Sequence, residues 1–460
     1  MGSKNRKVKK VINRQFLVFC AILLVSGTLM VAVSDYFYGR QFDLPVPGEA
    51  GWSERKINQL SQRVNELESL IKSLREPQNG GEATTSVPDP ETISEPGQAA
   101  VKSATEPAAD LPAAKSAEKY KLNYDFGMSV GETMLWLDDR ELTRQLDDLA
   151  LLGVGRLRFD IDWSHTQPND GENFKWEHID RFVDSANERG FKLVAILGYT
   201  PKWALPTDCP QMTERCYPEK PEEFANFAAA AVKRYSGKGI KVWEIWNEPN
   251  LKGFWLPAAD AKDYAALLKA ASAAIKKVDP AAAIVTGGLG PAASKDGNIA
   301  PAEFLSELYD NGAGKYFDAV GHHPYSFPAA PTDYKTWSGW SQMAATAPSL
   351  RGVMAAYGDG AKRLWLTEFG APTGGPGKQA AAGQTNLNGA DHVTEELQAK
   401  IFQQGIALAR DYDWDGPLFF YGYKDLGTDT ASNENFFGIL RSDGTKKPVY
   451  ETIRKLLAEN

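Results

Sequence analysis

The first hydrophobic block of the 460-residue chain is a run of 18 uncharged residues, FLVFCAILLVSGTLMVAV, at residues 16–33. That is close to the minimum of roughly 17–25 residues for a membrane-crossing helix. It exceeds the ~7–15 apolar residues of a usual cleaved signal, which favours an uncleaved signal-anchor over residues 16–34. Ala32-Val33-Ser34 is the small-x-small sequence on which the rival cleaved-signal reading rests. A different period follows. Ile57, Leu60, Val64, Leu67, Ile71 and Leu74 recur at alternating steps of three and four, with β-branched residues at every a position and Leu at every d position. This pattern predicts a coiled coil over residues 53–75 that pairs as a parallel dimer, starting at the N-cap Ser53 and stopped by Pro77. Its alternative is a lone amphipathic helix lying on the membrane.

Residues 76–118 lose all periodicity. Pro, Ala, Glu, Ser, Thr and Gly dominate, and no aromatic residue occurs. Such a stretch buries too little apolar surface to order itself and reads as a flexible linker. From residue 119 to 460, short apolar strand-like runs alternate with helical ones. Strands are expected near 124–129, 156–160, 192–197, 241–246, 283–286, 319–322, 363–367 and 417–421. Helical patterns lie between them, as at 142–152, 178–189, 222–235 and 261–278. Eight β-α alternations predict an α/β domain of the (β/α)8 barrel type. A doubly wound open sheet is the alternative, weakened because no glycine-rich phosphate fingerprint follows the first strand.

Charge adds an orientation. The formal net charge is -8, and the first fourteen residues hold six basic groups and no acidic one, leaving -14 on the remainder. Residues 1–15 therefore form a basic cytoplasmic tail, and the positive-inside rule places the barrel outside the cytoplasmic membrane, in the periplasm or beyond. An acidic body suits a neutral or cationic substrate and argues against nucleic acid. Cys209 and Cys216 share one loop, either as a disulfide or as two free thiols. Neither the number nor the spacing of cysteines points to a metal, and no cofactor motif occurs.

In a barrel of this kind, reactive groups sit where strands end. The fourth strand runs into KVWEIWNEPN, with Asn247 and Glu248 at its end, and the seventh into RLWLTEFG, with Glu368 at the equivalent place. Two carboxyls facing each other across the mouth are what retaining glycoside hydrolysis needs. WNEP followed by TEFG resembles the clan A glycoside hydrolases over the whole stretch from about residue 120. The resemblance implies that Glu248 is the acid/base, Glu368 the nucleophile and Asn247 a ligand of the sugar 2-hydroxyl. It further implies that Arg158, in RLRFDIDW, orients the nucleophile and that His323 and Tyr325, in GHHPYSF, sit beside it. Arg158 also has a structural alternative, an ion pair with Glu244 or Asp160, and Glu244 reads as a buried partner of a barrel arginine. WEIWNEPN and GHHPYSFP most resemble glycoside hydrolase families 39 and 5, and a tethered member is similar to bacterial hydrolases encoded with exopolysaccharide synthesis machinery.

Eleven of the twelve tryptophans lie in the barrel segment. Trp203, Trp255, Trp337 and Trp340 fall in strand-to-helix loops and are candidates for stacking on sugar rings, as are Trp136 and Trp163. Where the clan often has a Trp on the eighth strand, this sequence has Tyr421-Gly422-Tyr423-Lys424, so Tyr421 is the candidate floor of the central subsite. The expected activity is endo-acting cleavage of β-glycosidic bonds in an exopolysaccharide or cell-surface glycan. Exo-acting β-xylosidase-like cleavage and a polysaccharide-binding scaffold in an envelope export complex are the alternatives.

Overall fold

The computed structural model describes residues 120–459, apart from 172, 385 and 386. The basic tail, the apolar run at 16–34, the heptad segment at 53–75 and the linker at 76–118 lie outside the described residues. Within these, no helix is long and apolar enough to cross a membrane.

Ten strands occur among the described residues: β1 (Asn123–Gly131), β2 (Val154–Asp162), β3 (Lys192–Gly198), β4 (Val242–Ile245), β5 (Ala283–Thr286), β6 (Ala319–His322), β7 (Arg363–Phe369), β8 (Lys378–Ala380), β9 (Ala390–Val393) and β10 (Asp415–Tyr421). All but β8 and β9 close into one barrel of order β1-β10-β7-β6-β5-β4-β3-β2. Helices cross between them: α1 (Asp139–Leu152), α2 (Glu177–Asn187), α3 (Pro221–Tyr235), α4 (Ala261–Val278), α5 (Pro301–Asp310), α6 (Leu350–Ala356), α7 (Glu395–Asp411) and α8 (Pro448–Ala458). The eight strands expected from the sequence are the eight barrel strands. The parallel β8–β9 pair in the loop after β7 is an addition that its three and four residues gave no periodic signal for.

Helix ends follow local chemistry. Asp138 caps α1 by accepting from the Glu141 amide, and Gly153 ends it at φ 98°, a left-handed conformation that glycine adopts without strain. Pro221, Pro301 and Pro448 open α3, α5 and α8, where a missing amide hydrogen costs nothing.

Alternation along β2 positions the chemistry. Leu157, Phe159 and Ile161 pack outward in the large core beneath the helices. The alternate residues, Arg156, Arg158, Asp160 and Asp162, point the other way, a polar column rising toward the mouth. On β4, Trp243 and Ile245 join the outer core, while Val242 joins the inner cluster of Val194, Val285, Ala319 and Phe419 that plugs the barrel floor. Glu244 follows Val242 on that inner face. Cys209 and Cys216 form a disulfide with Cα atoms 5.9 Å apart. It packs with Leu205 and Leu256, so the loop after β3 is stapled beside the loop after β4.

Gly405 of α7 faces the ring of Phe369, and a Cβ at this position would overlap that ring. Phe369 is fully buried between Trp340 and Phe402, leaving it nowhere to move. Helix propensity favours Ala over Gly by about 1 kcal/mol, whereas overpacking costs about 1–3 kcal/mol. Gly405→Ala is therefore expected to lower the thermal unfolding midpoint. A raised midpoint would show that propensity wins and that the contact is soft.

Candidate active site

Arg158 stands near the top of the inner face of β2 and is about 1 % exposed. Its Nε and Nη2 donate to the two carboxylate oxygens of Glu244 at 2.7 and 2.9 Å. Nη2 also donates to Asn247 Oδ1 at 2.9 Å, and Nη1 donates to Ser129 Oγ at 2.9 Å and Glu368 Oε1 at 2.6 Å. The two readings of Arg158 are both realised: it pairs with Glu244 and reaches Glu368. Burial disfavours its charge, but Glu244 and Glu368 outweigh that and keep the guanidinium ionised. Glu244 is the buried arginine partner expected from the sequence, and its second acceptor role is toward the Gly288 amide at 2.8 Å.

Glu368 owes its position to an irregularity. Leu364, Leu366 and Phe369 of β7 all pack in the outer core. The register against β10 slips between Leu418↔Leu366 and Phe420↔Phe369, so two steps on β10 face three on β7. This bulge inserts a residue and turns Glu368, which strict alternation would place outward with Leu364 and Leu366, toward Arg158.

Glu248 arrives by a different distortion. Trp246 and Glu248 have φ of 71° and 47°, unusual for residues with side chains. The turn is held by neighbours. The Glu248 amide donates to Gly288 O at 3.0 Å, and the Leu251 amide donates to Glu248 O at 2.9 Å. Asn250 is fully buried and clamps the loop after β5, donating to Gly290 O and accepting from the Gly290 amide at 2.8 and 2.9 Å. Gly290 is required there, because a Cβ would lie 2.6 Å from Glu248 Oε1. Gly288 is required for the same reason against His323 and Thr367.

His323 links the two glutamates. Its Nδ1 lies 3.0 Å from Glu248 Oε1 and 3.5 Å from Glu368 Oε2. These two oxygens are therefore at most about 6.5 Å apart, both legs meeting at one nitrogen. Tyr325 Oη donates to Glu368 Oε2 at 2.8 Å. Burial pushes the Tyr325 hydroxyl well above its ordinary range, so it remains a donor. Burial would also raise Glu368, but His323, Arg158 and the Tyr325 hydrogen bond outweigh it and hold this carboxyl below the usual carboxylate value. The adjacent His322 points away, its Nε2 3.0 Å from Gly339 O, and burial lowers it to about 4.

The structure thus brings Arg158, Asn247, Glu248, His323, Tyr325 and Glu368 together. Tyr421 joins them at the edge, its ring 6.3 Å from that of Tyr325 and perpendicular to it. Of the candidate tryptophans, Trp255, Trp340 and Trp163 do not follow. Trp255 is 1 % exposed, wedged between Trp246 and Tyr264, and Trp340 is 3 % exposed against Phe369. Neither has a free face to offer a sugar, and Trp163 is likewise fully buried. Trp203 is half-buried, donating to Gln167 O at 2.9 Å. Trp337 and Trp136 are exposed. Ser129, Gly288, Gly290 and Asn250 are the supporting residues the sequence reading missed. The glycine pair in TGGLG and the Asn after NEP were the available signals.

Beside the pair lies a cavity of about 820 Å3 where β1, β2, β3 and β10 end, lined by Ser129, Asp160, Tyr199 and Tyr421 among others. Its lining stops short of Glu248 and Glu368 but shares Ser129 with the Arg158 network. Glu132, Asp162 and His165 on its wall each place one ligand-type atom within 4.8 Å of the others. His165 Nδ1 already contacts both carboxylates.

Removing one partner of a buried ion pair strands the other charge and costs about 3–5 kcal/mol. Glu244→Ala is expected to destabilise the barrel by that order in denaturant unfolding. A change below about 1 kcal/mol would mean that Glu368 and water satisfy Arg158 without it.

Residues 134–352 match the description Glycosyl hydrolases family 39. That segment contains Arg158, Asn247, Glu248, His323 and Tyr325 and ends before Glu368. A β-xylosidase of Geobacillus stearothermophilus is 26 % identical over 181 residues, 35 % of this chain and 36 % of that protein. A β-xylosidase of Caldicellulosiruptor saccharolyticus is 29 % identical over 195 residues, 40 % of this chain and again 36 % of that protein. The chain thus spans just over a third of the length of these relatives. Among solved structures, a family 39 glycoside hydrolase from Bacteroides cellulosilyticus WH2 superposes with a TM-score of 0.56 at 26 % identity, covering 73 % of this chain and 63 % of that one. A monomeric β-xylosidase from Caulobacter crescentus shares the fold, with a TM-score of 0.53 at 20 % identity over 73 % of this chain and 68 % of that one. Residues 134–352, just under half of the chain, thus resemble glycoside hydrolase family 39, and they do so within a (β/α)8 barrel.

Proposed function

We propose that the chain is a retaining β-glycoside hydrolase, with Glu368 as nucleophile and Glu248 as acid and then base. The observation that carries this reading is the pair of carboxylates converging on His323 Nδ1. Their oxygens are no more than about 6.5 Å apart. Retaining enzymes hold their carboxyls about 5–5.5 Å apart, and inverting ones about 6.5–9.5 Å. The environments of the two also differ as the roles require. Glu368 is held ionised by Arg158 and Tyr325, as a nucleophile must be. Among the described residues no Lys or Arg pairs with Glu248, whose partner is His323 Nδ1.

In the first step Glu368 attacks the anomeric carbon, the glycosidic bond breaks, and the Glu248 proton goes to the leaving oxygen. In the second, Glu248 takes a proton from water as that water attacks the anomeric carbon, and the ester bond to Glu368 breaks. Asn247 spends its Oδ1 on Arg158, which leaves its amide hydrogens to donate to a sugar oxygen.

For the substrate we favour an endo-cleaved exopolysaccharide or cell-surface glycan. The adjoining cavity of about 820 Å3 lies near the top of the roughly 300–1,000 Å3 that holds a drug-sized molecule, room for more than one sugar ring. Exo action on a β-xyloside is the second reading, favoured by the names of the two relatives. The N-terminal pattern completes the proposal: a signal-anchor at 16–34 holds the barrel outside the cytoplasmic membrane, and residues 53–75 pair two chains in parallel.

Two experiments test this. Glu248→Gln and Glu368→Gln should each lose nearly all activity, for different reasons. With an activated aryl β-glycoside, Glu248→Gln should still release a burst, and azide should restore turnover and yield the β-glycosyl azide. Glu368→Gln should give no burst, and any azide product should be α. The reverse pattern would exchange the two roles. For topology, protease added to intact spheroplasts should remove the barrel, and a barrel protected until lysis would contradict an external location.

A further inference from the structure

The cavity beside the catalytic pair has an unbalanced wall. Asp160 and Asp162 rise from the end of β2, Glu132 comes from the loop after β1, and Glu434 from the loop after β10. Glu141, Glu214 and Asp425 line the cavity too, against the basic groups Arg215, Lys424 and His165. Arg158 spends its donors on Glu244, Glu368, Asn247 and Ser129. Arg215 lies over the Phe254 ring at 4.7 Å and reaches Gly253 O at 3.3 Å. The charge of Lys424 is felt at Glu141. His165 contacts Glu132 and Asp162.

Asp160 makes no hydrogen bond or ion pair among the described residues, although it borders the cavity one turn of the β2 pleat above Arg158. Asp160 is half-buried, and a charge even partly taken out of water is costly without a partner. Burial, with Glu132, Glu368 and Asp162 adding to it against the pull of Arg158, pushes its carboxyl up to about 8. A protonated acid can serve a neutral hydroxyl, but six further acidic side chains line the same cavity against three basic ones. Sugar hydroxyls bring no charge to offset them, and an anionic sugar is repelled.

We infer that this cavity selects a glycan whose residues carry free ammonium groups, an amino-sugar polymer that is not N-acylated, with Asp160 and Asp162 as the residues that receive the ammonium. This rests on the hydrolase reading for the purpose of the cavity, but it is a statement about binding. The ammonium falls on the sugar held in the cavity, away from Arg158, which faces Asn247 and Glu368. Tyr199 and Tyr421 supply ring surface on the same wall. The acidity of the whole body, -14 outside the first fourteen residues, draws the same class of ligand from solution.

The test uses the full chain bearing Glu368→Gln, so that binding is read without turnover. Calorimetric titration compares oligomers of β-1,4-linked glucosamine, of N-acetylglucosamine and of glucose at low and high salt. The glucosamine oligomer is expected to bind about tenfold tighter than either neutral one at low salt, as two partly buried ion pairs allow, and the difference should shrink as salt rises. Adding Asp160→Asn and Asp162→Asn, in protein whose circular dichroism is unchanged, should remove the difference. Equal affinity for the three oligomers, preference for a neutral one, or no binding of any would overturn the inference. So would calcium binding at these carboxylates with no preference for the amine, which would make them a metal site. Hydrolysis by the unmodified chain is scored separately: selective binding without cleavage of any β-glycoside would refute the hydrolase reading and leave this one standing.

Discussion

A guanidinium sealed inside a barrel sets the terms for everything around it. Arginine has five N–H donors in a rigid plane and cannot shed its charge, so each donor left unmet inside the protein is costly. Arg158 meets all five: two on Glu244, one each on Ser129, Asn247 and Glu368. Those partners come from β1, from β4 and the turn after it, and from β7. The plane of one side chain thereby fixes the positions of elements that are far apart in sequence. Glu244 is the structural half of this arrangement, and Glu368 is the half that the proposed chemistry uses. One cation against two carboxylates leaves an excess negative charge, which Tyr325 and His323 take up on the far side of Glu368.

Holding Glu248 opposite requires backbone that the chain would not choose. Tyr199, Trp246 and Glu248 all have positive φ, and all three lie where β3 and β4 open into the mouth. Each such residue costs on the order of 1–3 kcal/mol. The surroundings that enforce them are rigid: Asn250 bonded to Gly290, Glu248 bonded to Gly288, and Trp246 buried and anchored through Nε1 to Phe254 O at 2.7 Å. The two carboxyls are therefore set by opposite devices, a bulge in β7 and a left-handed turn after β4, and His323 is where they meet.

Much of this was written plainly in the chain. The alternation in RLRFDID separates outer Leu157, Phe159 and Ile161 from inner Arg158 and Asp160 by inspection, and the eight strands follow the apolar runs closely. The bulge was not legible. Simple alternation through RLWLTEF puts Glu368 on the outer face with Leu364 and Leu366, and only the pairing against β10 reveals the inserted step. The buried tryptophans were misplaced for a related reason. A Trp in a strand-to-helix loop has no periodicity to say which way it faces. Trp255 and Trp340 found more surface to bury against Trp246, Tyr264 and Phe369 than a cleft wall offers. Asn250, Gly288 and Gly290 act through backbone contacts made only when two loops meet, which composition does not express.

Charge and shape at the mouth give the barrel two adjoining zones, a balanced one around Arg158 and an acidic one around Asp160. The first bears on the chemistry, because inversion needs room for a water molecule between carboxylate and anomeric carbon and retention does not. Proton NMR of the earliest product released by the unmodified chain from a β-glycoside tests this most directly. The account predicts the β anomer first, with the α anomer appearing only by later mutarotation. An α anomer at the earliest time points would mean inversion, and would contradict the role given to Glu368.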